Sequence, residues 1–204
     1  MRAVESTRQA DAASMEVQLI TNVEGFERIT SGQGYVQLVP GYGDITWTDD
    51  LGITREVVSA SGHYFELDGT WFVIDPASSL PTTVAFDPLA GLAEARNVTE
   101  VGAENVLGRS AVRFDADLDP QMGALSMGFS QEEATVFADG ADASLVATIW
   151  VDTEGRIVRI VREYSASSVD GAPISATSLY LLDDFGDLRP IDVPETADAI
   201  PAPV

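Results

Sequence analysis

The chain has 204 residues, of which 33 are acidic, 11 are basic and none is cysteine, so its formal net charge is -22. This charge repels phosphate backbones and anionic lipid head groups, which disfavours nucleic-acid binding and docking to membranes through a basic surface. The absence of cysteine excludes disulfides, thiolate metal sites and a cysteine nucleophile. With 45% hydrophobic residues the chain can build a core, and we expect one domain over residues 1–194 and a Pro-rich tail over 195–204.

The N-terminal part of the chain predicts a short helix followed by strands. Residues 2–13 are polar with a weak apolar stripe, whereas apolar and polar residues alternate from Met15 onward, which is typical of a strand. The same period of two predicts strands over residues 34–39, 44–48 and 54–59. No signal-peptide core is present in the first 14 residues, and no run of 18 apolar residues occurs.

The stretch HYFELDGTWFVID, residues 63–75, predicts a β-hairpin with a type I′ turn at Asp68 and Gly69, because both residue types tolerate a positive φ. Its second strand is apolar on both faces. A strand of this kind is buried on both sides or belongs to a sheet that wraps around something apolar.

Two short helices are predicted after this hairpin. The run DPLAGL, residues 87–92, begins with a good N-cap and N1 pair and continues with apolar residues at helical spacing. The second run, residues 119–129, is interrupted by glycine and carries Met122, Leu125 and Phe129 on one face. Residues 132–138 are compatible with a helix or a loop.

The C-terminal half predicts further strands over residues 112–118, 145–152, 156–164 and 178–183. Residues 152–155 (DTEG) predict a hairpin turn with glycine in the left-handed position. The fold class is therefore α+β: a single curled antiparallel sheet of about ten or eleven strands, a half-barrel with short helices on its concave face. Side chains, helices or a ligand must fill the inside of such a sheet.

The sequence contains no recognisable catalytic or cofactor motif. His63 is the only histidine, which argues against a multi-histidine zinc site, and we interpret it as structural. Asp115, Asp117 and Asp119 lie on one face of a strand but do not fit an EF-hand loop. We interpret these aspartates as a solvated face, with Ca²⁺ binding as the alternative. We expect no enzyme activity, no cofactor and no metal.

The order of several motifs resembles the actinobacterial LppX/LprG-type lipoproteins, which belong to the LolA-like lipid carriers. The motifs are GHYFELDGTWFVID, then DPLAGL, then VGAENVLGRSAVRF, then ATIWVDTEGRIVRIV and LYLLDDFGDLRPIDVP, over about residues 15–194. The resemblance implies a half-barrel with an apolar cavity for acyl chains between sheet and helices. It also implies an exported protein on the outer face of the cytoplasmic membrane, held by a lipid anchor on an N-terminal cysteine that these residues lack.

The resemblance leads to a prediction of the lipid-binding residues. The partner is expected to be a lipid or lipoglycan, bound by a monomer, and the acidic surface favours a neutral or zwitterionic cargo. Residues of strands and of a helical lid are expected to line the cavity, with ordinary core packing as the alternative for each: Trp47, Phe65, Leu67, Ile149, Val151 and Ile160 from strands, and Leu89, Leu92, Met122, Leu125 and Phe129 from the lid.

A second function is compatible with the same fold. The half-barrel would then serve as a non-enzymatic sensor or accessory lipoprotein module that binds a protein or peptide partner. This alternative rests on analogy with relatives of LolA and on no motif of this sequence. A lipid that copurifies with the protein would favour the carrier over the module.

Overall fold

The computed structural model describes residues 2–50, 52–74, 86–126, 134–135, 142–168, 171–195 and 200–201. These residues form two α-helices of three or more residues, α1 (Arg2–Arg8) and α2 (Pro120–Ser126), and a 3-10 helix (Leu92–Glu94). They also form twelve strands: β1 (Ala12–Val23), β2 (Phe26–Gln37), β3 (Tyr42–Asp49), β4 (Gly52–Ser59), β5 (Gly62–Leu67), β6 (Thr70–Ile74), β7 (Arg96–Val106), β8 (Arg109–Asp117), β9 (Ser144–Asp152), β10 (Ile157–Ser167), β11 (Pro173–Asp183) and β12 (Ile200–Pro201).

All twelve strands belong to one curled, unclosed sheet with the order β12-β6-β5-β4-β3-β2-β1-β11-β10-β9-β8-β7. Eleven of them pair antiparallel with their neighbours, and the two-residue β12 adds in parallel to β6. The strands are mostly joined by hairpins, and the link between the two halves is the pairing of β1 with β11. The predicted α+β half-barrel is thus confirmed.

The predicted hairpin turn between β5 and β6 is also confirmed. Asp68 and Gly69 both have positive φ, 51° and 77°, as a type I′ turn requires. The two faces of β6 have different neighbours. Phe72 stacks on Phe65 with ring centroids 4.9 Å apart, and Trp71 on the opposite face lies under the guanidinium of Arg55 at 5.5 Å.

Several element boundaries differ from the sequence-based prediction. The first helix ends at Arg8 instead of residue 13, since the backbone turns at Asp11, whose φ is 63°. Strand β2 begins at Phe26, eight residues before the predicted start at residue 34. Residues 26–33 are mostly polar and exposed, so their sequence carries little strand signal. The long pairing with β1 keeps them in the sheet.

The prediction of an α-helix from residue 87 is wrong, because the described residues there form turns and a 3-10 helix. Asp87 does cap a turn, because its Oδ1 accepts a hydrogen bond from the amide of Leu89 at 3.1 Å. Gly91 then adopts a left-handed conformation with φ 74°, which breaks the helical path and leaves only the 3-10 turn after it. Residues 86–95, called the covering segment below, therefore cross the sheet in turns instead of an α-helix.

The hydrophobic core lies between one face of the sheet, called the inner face, and the elements that cover it. Met15, Val17 and Ile160 are nearly fully buried on this face. The cover consists of α1, α2 and the covering segment, which contributes Phe86, Leu89 and Leu92 to the same cluster. No helix within the described part of the chain has the length and apolar character needed to cross a bilayer.

The opposite, outer face of the sheet carries a layer of arginine and aromatic side chains. Trp150 packs in a small cluster with Val158, and the guanidinium of Arg159 lies 4.4 Å from its ring centroid. The indole N–H of Trp150 donates to Glu104 at 2.8 Å. Cation–π contacts of this kind cover aromatic surface with charged groups that stay hydrated at the rim.

Candidate functional site

A small cavity opens on the inner face where β1, β2, β9, β10 and β11 come together. Its volume is about 190 Å³, and it is lined by both apolar and polar side chains. Strand pairing explains the composition, because residues directly opposite one another share a face: Leu19 faces Thr30 and Ser178, and Ser178 faces Arg162. The lining residues are Leu19, Thr21, Arg28, Thr30, Leu145, Arg162, Tyr164, Ala176, Thr177 and Ser178.

Arg162 is the only arginine among the described residues that is nearly fully buried, with 5% of its surface exposed. Its Nη2 donates to the carbonyl oxygens of Pro88 and Ala90, at 2.7 and 2.8 Å. Burial lowers the pKa of its guanidinium, and the nearby Tyr180 and Asp87 oppose this effect. The sheet therefore holds the covering segment through a buried cation that hydrogen-bonds to neutral carbonyl groups.

Two tyrosines accompany Arg162 on the inner face. Burial raises the pKa of Tyr180, against the favourable effect of the Arg162 charge on its ionised form. Burial also raises the pKa of Tyr164, and the charge of Asp142 raises it further. The hydroxyl of Tyr164 has no hydrogen-bond partner among the described residues, and the residue is only 3% exposed. Both tyrosines are neutral donors at physiological pH.

The sequence-predicted cavity residues fall into three groups. Ile149, Ile160, Leu89 and Leu92 are at most 1% exposed and belong to the packed core. Trp47, Val151, Met122 and Leu125 are partly buried and pack against that core. Phe65 is partly buried beside Phe72, and Leu67 is 46% exposed near the β5–β6 turn.

Phe129 lies outside the described residues, as do residues 132–133 and 136–138 of the segment predicted as helix or loop. Met122 and Leu125 lie on α2 as predicted. Met122 also lies beside the covering segment, with its Cγ about 3.6 Å from the position that a Cβ would take on Gly91. Within the described residues, two covering elements therefore meet over the inner face. None of the ten predicted residues that the structure describes lines the 190 Å³ cavity, and the role of all eleven as lipid contacts stays a prediction.

A second polar group on the inner face lies across β3, β4 and β5. Glu56 accepts hydrogen bonds from the indole N–H of Trp47, at 2.7 Å, and lies 2.5 Å from Nε2 of His63. The Nδ1 atom of His63 has no partner among the described residues. The cluster ties three neighbouring strands together in a half-buried setting, which agrees with a structural role for His63.

The outer face carries larger but more polar depressions. A groove of about 670 Å³ runs over β1–β4 beside residues 189–191, and another of about 470 Å³ adjoins it. Their lining includes Glu16, Gln33, Thr46 and Leu181, which share the face opposite Met15. Neither groove is an apolar hollow between sheet and cover.

The acidic residues that the sequence places on β8 are engaged with polar neighbours. Asp115 accepts from Arg113 at 3.2 Å and from Thr148 at 3.1 Å, and Asp117 accepts from Asn97 at 2.7 Å. Across the described part of the chain, no three histidine or acidic residues are grouped so that they could hold a metal ion.

The sequence reasoning missed Arg162, Tyr164 and Leu145 as cavity residues. A signal for them was present: Arg162 has the same parity along β10 as Ile160 and Tyr164, so all three project to the inner face. A charged residue flanked on the core side of a strand by apolar neighbours is unusual and points to a defined local role.

Comparison with solved structures identifies proteins with a similar fold. The lipoprotein LppX of Mycobacterium tuberculosis superposes with a TM-score of 0.61 at 17% identity, and the match covers 94% of either chain. LprF of Mycobacterium bovis gives a TM-score of 0.59 at 16% identity, covering 94% of this chain and 93% of the other. No family model matches the sequence, and no curated protein matches it. The resemblance to LppX/LprG-type lipoproteins is thus confirmed for the fold.

Proposed function

We propose that this chain, which has the fold of two mycobacterial lipoproteins, is a lipid carrier that buries acyl chains between the inner face of its sheet and the cover. The observation that carries the proposal is the open, curled sheet with an apolar inner face covered by separate short pieces, α2 and the covering segment. Separate pieces can move apart without unfolding any strand. The proposed location is the cell envelope, outside the cytoplasmic membrane, with a lipid anchor as in a lipoprotein.

The 190 Å³ cavity is too small for a complete acyl chain, since pockets that bury drug-sized ligands measure about 300–1,000 Å³. The chain would therefore enter by displacing α2 or the covering segment from the sheet. Five apolar side chains hold these pieces down: Phe86, Leu89, Leu92, Met122 and Leu125.

The energies of displacement and binding are comparable. Exposing five such side chains to water costs about 8–15 kcal/mol, at about 1.5–3 kcal/mol each. An acyl chain with about 14 buried methylenes gains about 11 kcal/mol, at about 0.8 kcal/mol per methylene. Because the bound chain would cover the displaced side chains again, much of the first cost is recovered. Binding by this route is then favourable without any polar contact.

The proposal is tested by native mass spectrometry of the purified protein before and after extraction with organic solvent. A carrier is expected to show mass adducts that disappear on extraction and return after incubation with a long-chain lipid. A protein that stays free of adducts after incubation with fatty acid, phospholipid and diacylglycerol would contradict the carrier function.

The role of the lid is tested by Leu125→Trp, which adds bulk where α2 packs on the core. We expect uptake of a fluorescent acyl probe to fall several-fold while the far-ultraviolet circular dichroism stays that of the wild type. Ile53→Trp is the matched control, since Ile53 is 68% exposed and far from α2 in the sheet order. Unchanged uptake by a folded Leu125→Trp variant would reject α2 as part of the lid.

A module that binds a protein or peptide is the second candidate, and one observation favours it. The outer-face groove of about 670 Å³ has the size of a ligand site and is lined by both polar and apolar groups. If the protein is such a module, it takes up no lipid, and it loses its partner when Thr46, which lines both outer-face grooves, is replaced by Trp.

A further inference from the structure

The 190 Å³ cavity presents hydrogen-bond donors that lack partners. Arg162 and Tyr164 are among the residues that line it, and Nε of Arg162 and the hydroxyl of Tyr164 are buried without a hydrogen-bond partner among the described residues. The two residues are 5% and 3% exposed. Thr30 and Ser178 line the same cavity. An unpartnered buried donor costs about 1–3 kcal/mol, so the arrangement favours a ligand that supplies acceptors.

The charge of Arg162 also favours a ligand that supplies acceptors, in particular a negatively charged one. Its hydrogen bonds go to the carbonyls of Pro88 and Ala90, and no ion pair within the described residues joins it to a carboxylate. A buried charge is normally paired with an opposite charge, because burial removes its hydration. Asp87 is near enough to act on this charge but forms no ion pair with it, and an anion in the cavity would supply a direct counter-charge.

The other charges near the cavity are more exposed and already engaged. Arg28 lines the cavity and pairs with Asp49 at 2.5 Å, and its side chain is 56% exposed. Asp142 near Tyr164 is exposed and accepts a hydrogen bond from Ser167. The remaining acidic surface is screened beyond about 8 Å at physiological ionic strength, whereas Arg162 belongs to the lining of the cavity itself.

We propose that this cavity binds the oxyanion of an acyl lipid, a carboxylate or a phosphate, with Arg162 and Tyr164 as its polar side chains. The inference rests on the proposed carrier function and adds the class of cargo. The cavity is similar in size to the about 150 Å³ cavity that holds a benzene ring, so it has room for a head group and the first methylenes. The remaining chain would pass beneath the covering segment, which Arg162 also contacts. The acidic surface had favoured a neutral cargo, and this site favours an anionic one.

The test compares ligands with the same chain and different heads. Palmitate and 1-hexadecanol compete against a fluorescent acyl probe on the wild type, on Tyr164→Phe and on Tyr64→Phe. The last variant is the matched control, because Tyr64 is also fully buried but donates to the carbonyl of Ser61 away from the cavity. We expect the wild type to bind palmitate at least tenfold more tightly than hexadecanol, because hydrogen bonds to charged groups are the strong ones.

Tyr164→Phe is expected to weaken palmitate about tenfold and to leave hexadecanol unchanged, while Tyr64→Phe changes neither. The same competition between dipalmitoyl phosphatidate and dipalmitoylglycerol measures the preference for a phosphate head. The anion that is preferred more strongly over its uncharged counterpart, carboxylate or phosphate, is then the oxyanion that the site binds. Equal binding of charged and uncharged heads, with no effect of Tyr164→Phe, overturns the anion site and leaves the carrier function standing. Failure to bind any of the four lipids overturns both.

Discussion

Replacing Arg162 by Met is expected to loosen the covering segment without unfolding the sheet. Met keeps an apolar stem of similar reach but removes both hydrogen bonds to the carbonyls of Pro88 and Ala90, at 2.7 and 2.8 Å. Those carbonyls then lack their donor while the segment stays closed, and they regain water when it opens. The substitution therefore shifts the local equilibrium toward the open segment.

The size of the shift follows from the two bonds. Hydrogen bonds to charged groups contribute about 1.5–3 kcal/mol each, as net values that already include hydration. At the lower end of this range, the loss of one bond raises the open population about tenfold, and the loss of both raises it about a hundredfold. Removal of a buried cation stabilises the rest of the core and keeps the global change small.

Hydrogen exchange measures this local opening. The amides of Ala90, Leu92 and Ala95 donate within the segment, to carbonyls at 3.1, 3.2 and 3.4 Å, and should exchange 10- to 100-fold faster in Arg162→Met. Amides of β11 should keep their protection. Arg159→Met is the matched control, since Arg159 is on the same strand but lies over Trp150 on the outer face. Unchanged exchange of the segment in Arg162→Met would refute this reasoning.

Two further predictions concern the sheet and its response to pH. Gly34→Ala should destabilise the fold by about 3 kcal/mol or more in urea unfolding, because a Cβ there would lie 2.0 Å from the backbone oxygen of Asp44. Gly32→Ala should destabilise it less, because the added Cβ would meet mainly the side chain of Trp47. Equal losses of stability in the two variants would contradict this account. Because burial raises the pKa of Tyr180, the unfolded state loses its proton first as pH rises above about 10, and stability falls there. Tyr180→Phe should reduce the slope of that fall by up to about 1.4 kcal/mol per pH unit, and an unchanged slope between pH 10 and 11 would contradict the shift.

The sequence predicts the strands best where turn chemistry and alternation agree. The Asp68-Gly69 hairpin and the turn ending at Gly155, whose φ is 79°, are both found in the structure. Strand β2 was predicted eight residues too short, because residues 26–33 are held by pairing with β1 and not by a buried face of their own. Such tertiary pairing leaves no periodicity in the sequence.

The site was harder to predict than the fold. Apolar spacing located α2 and residues of the covering segment, but it does not separate a packed core from a hollow, since both are lined by the same residue types. The open space depends on how Leu19, Leu145 and Tyr164 fail to fill one corner of the inner face. In the sequence, only the parity of Arg162 with Ile160 and Tyr164 along β10 indicated burial. That burial depends on the covering segment, whose Pro88 is more than 70 residues away along the chain.

An unclosed sheet has two edge strands whose backbone N–H and C=O groups are available to other chains, and in this protein both edges are protected. On one side, β6 receives Ile200–Pro201, and the proline ring removes the N–H that a further ladder would need. On the other side, β7 is interrupted by two irregularities in its pairing, between residues 96 and 99 and between 100 and 102, and carries Glu100 and Glu104. Along both edges, as far as the structure describes them, a neighbouring polypeptide finds no long, regular row of donors and acceptors, which protects an open-sided molecule from aggregation through strand addition.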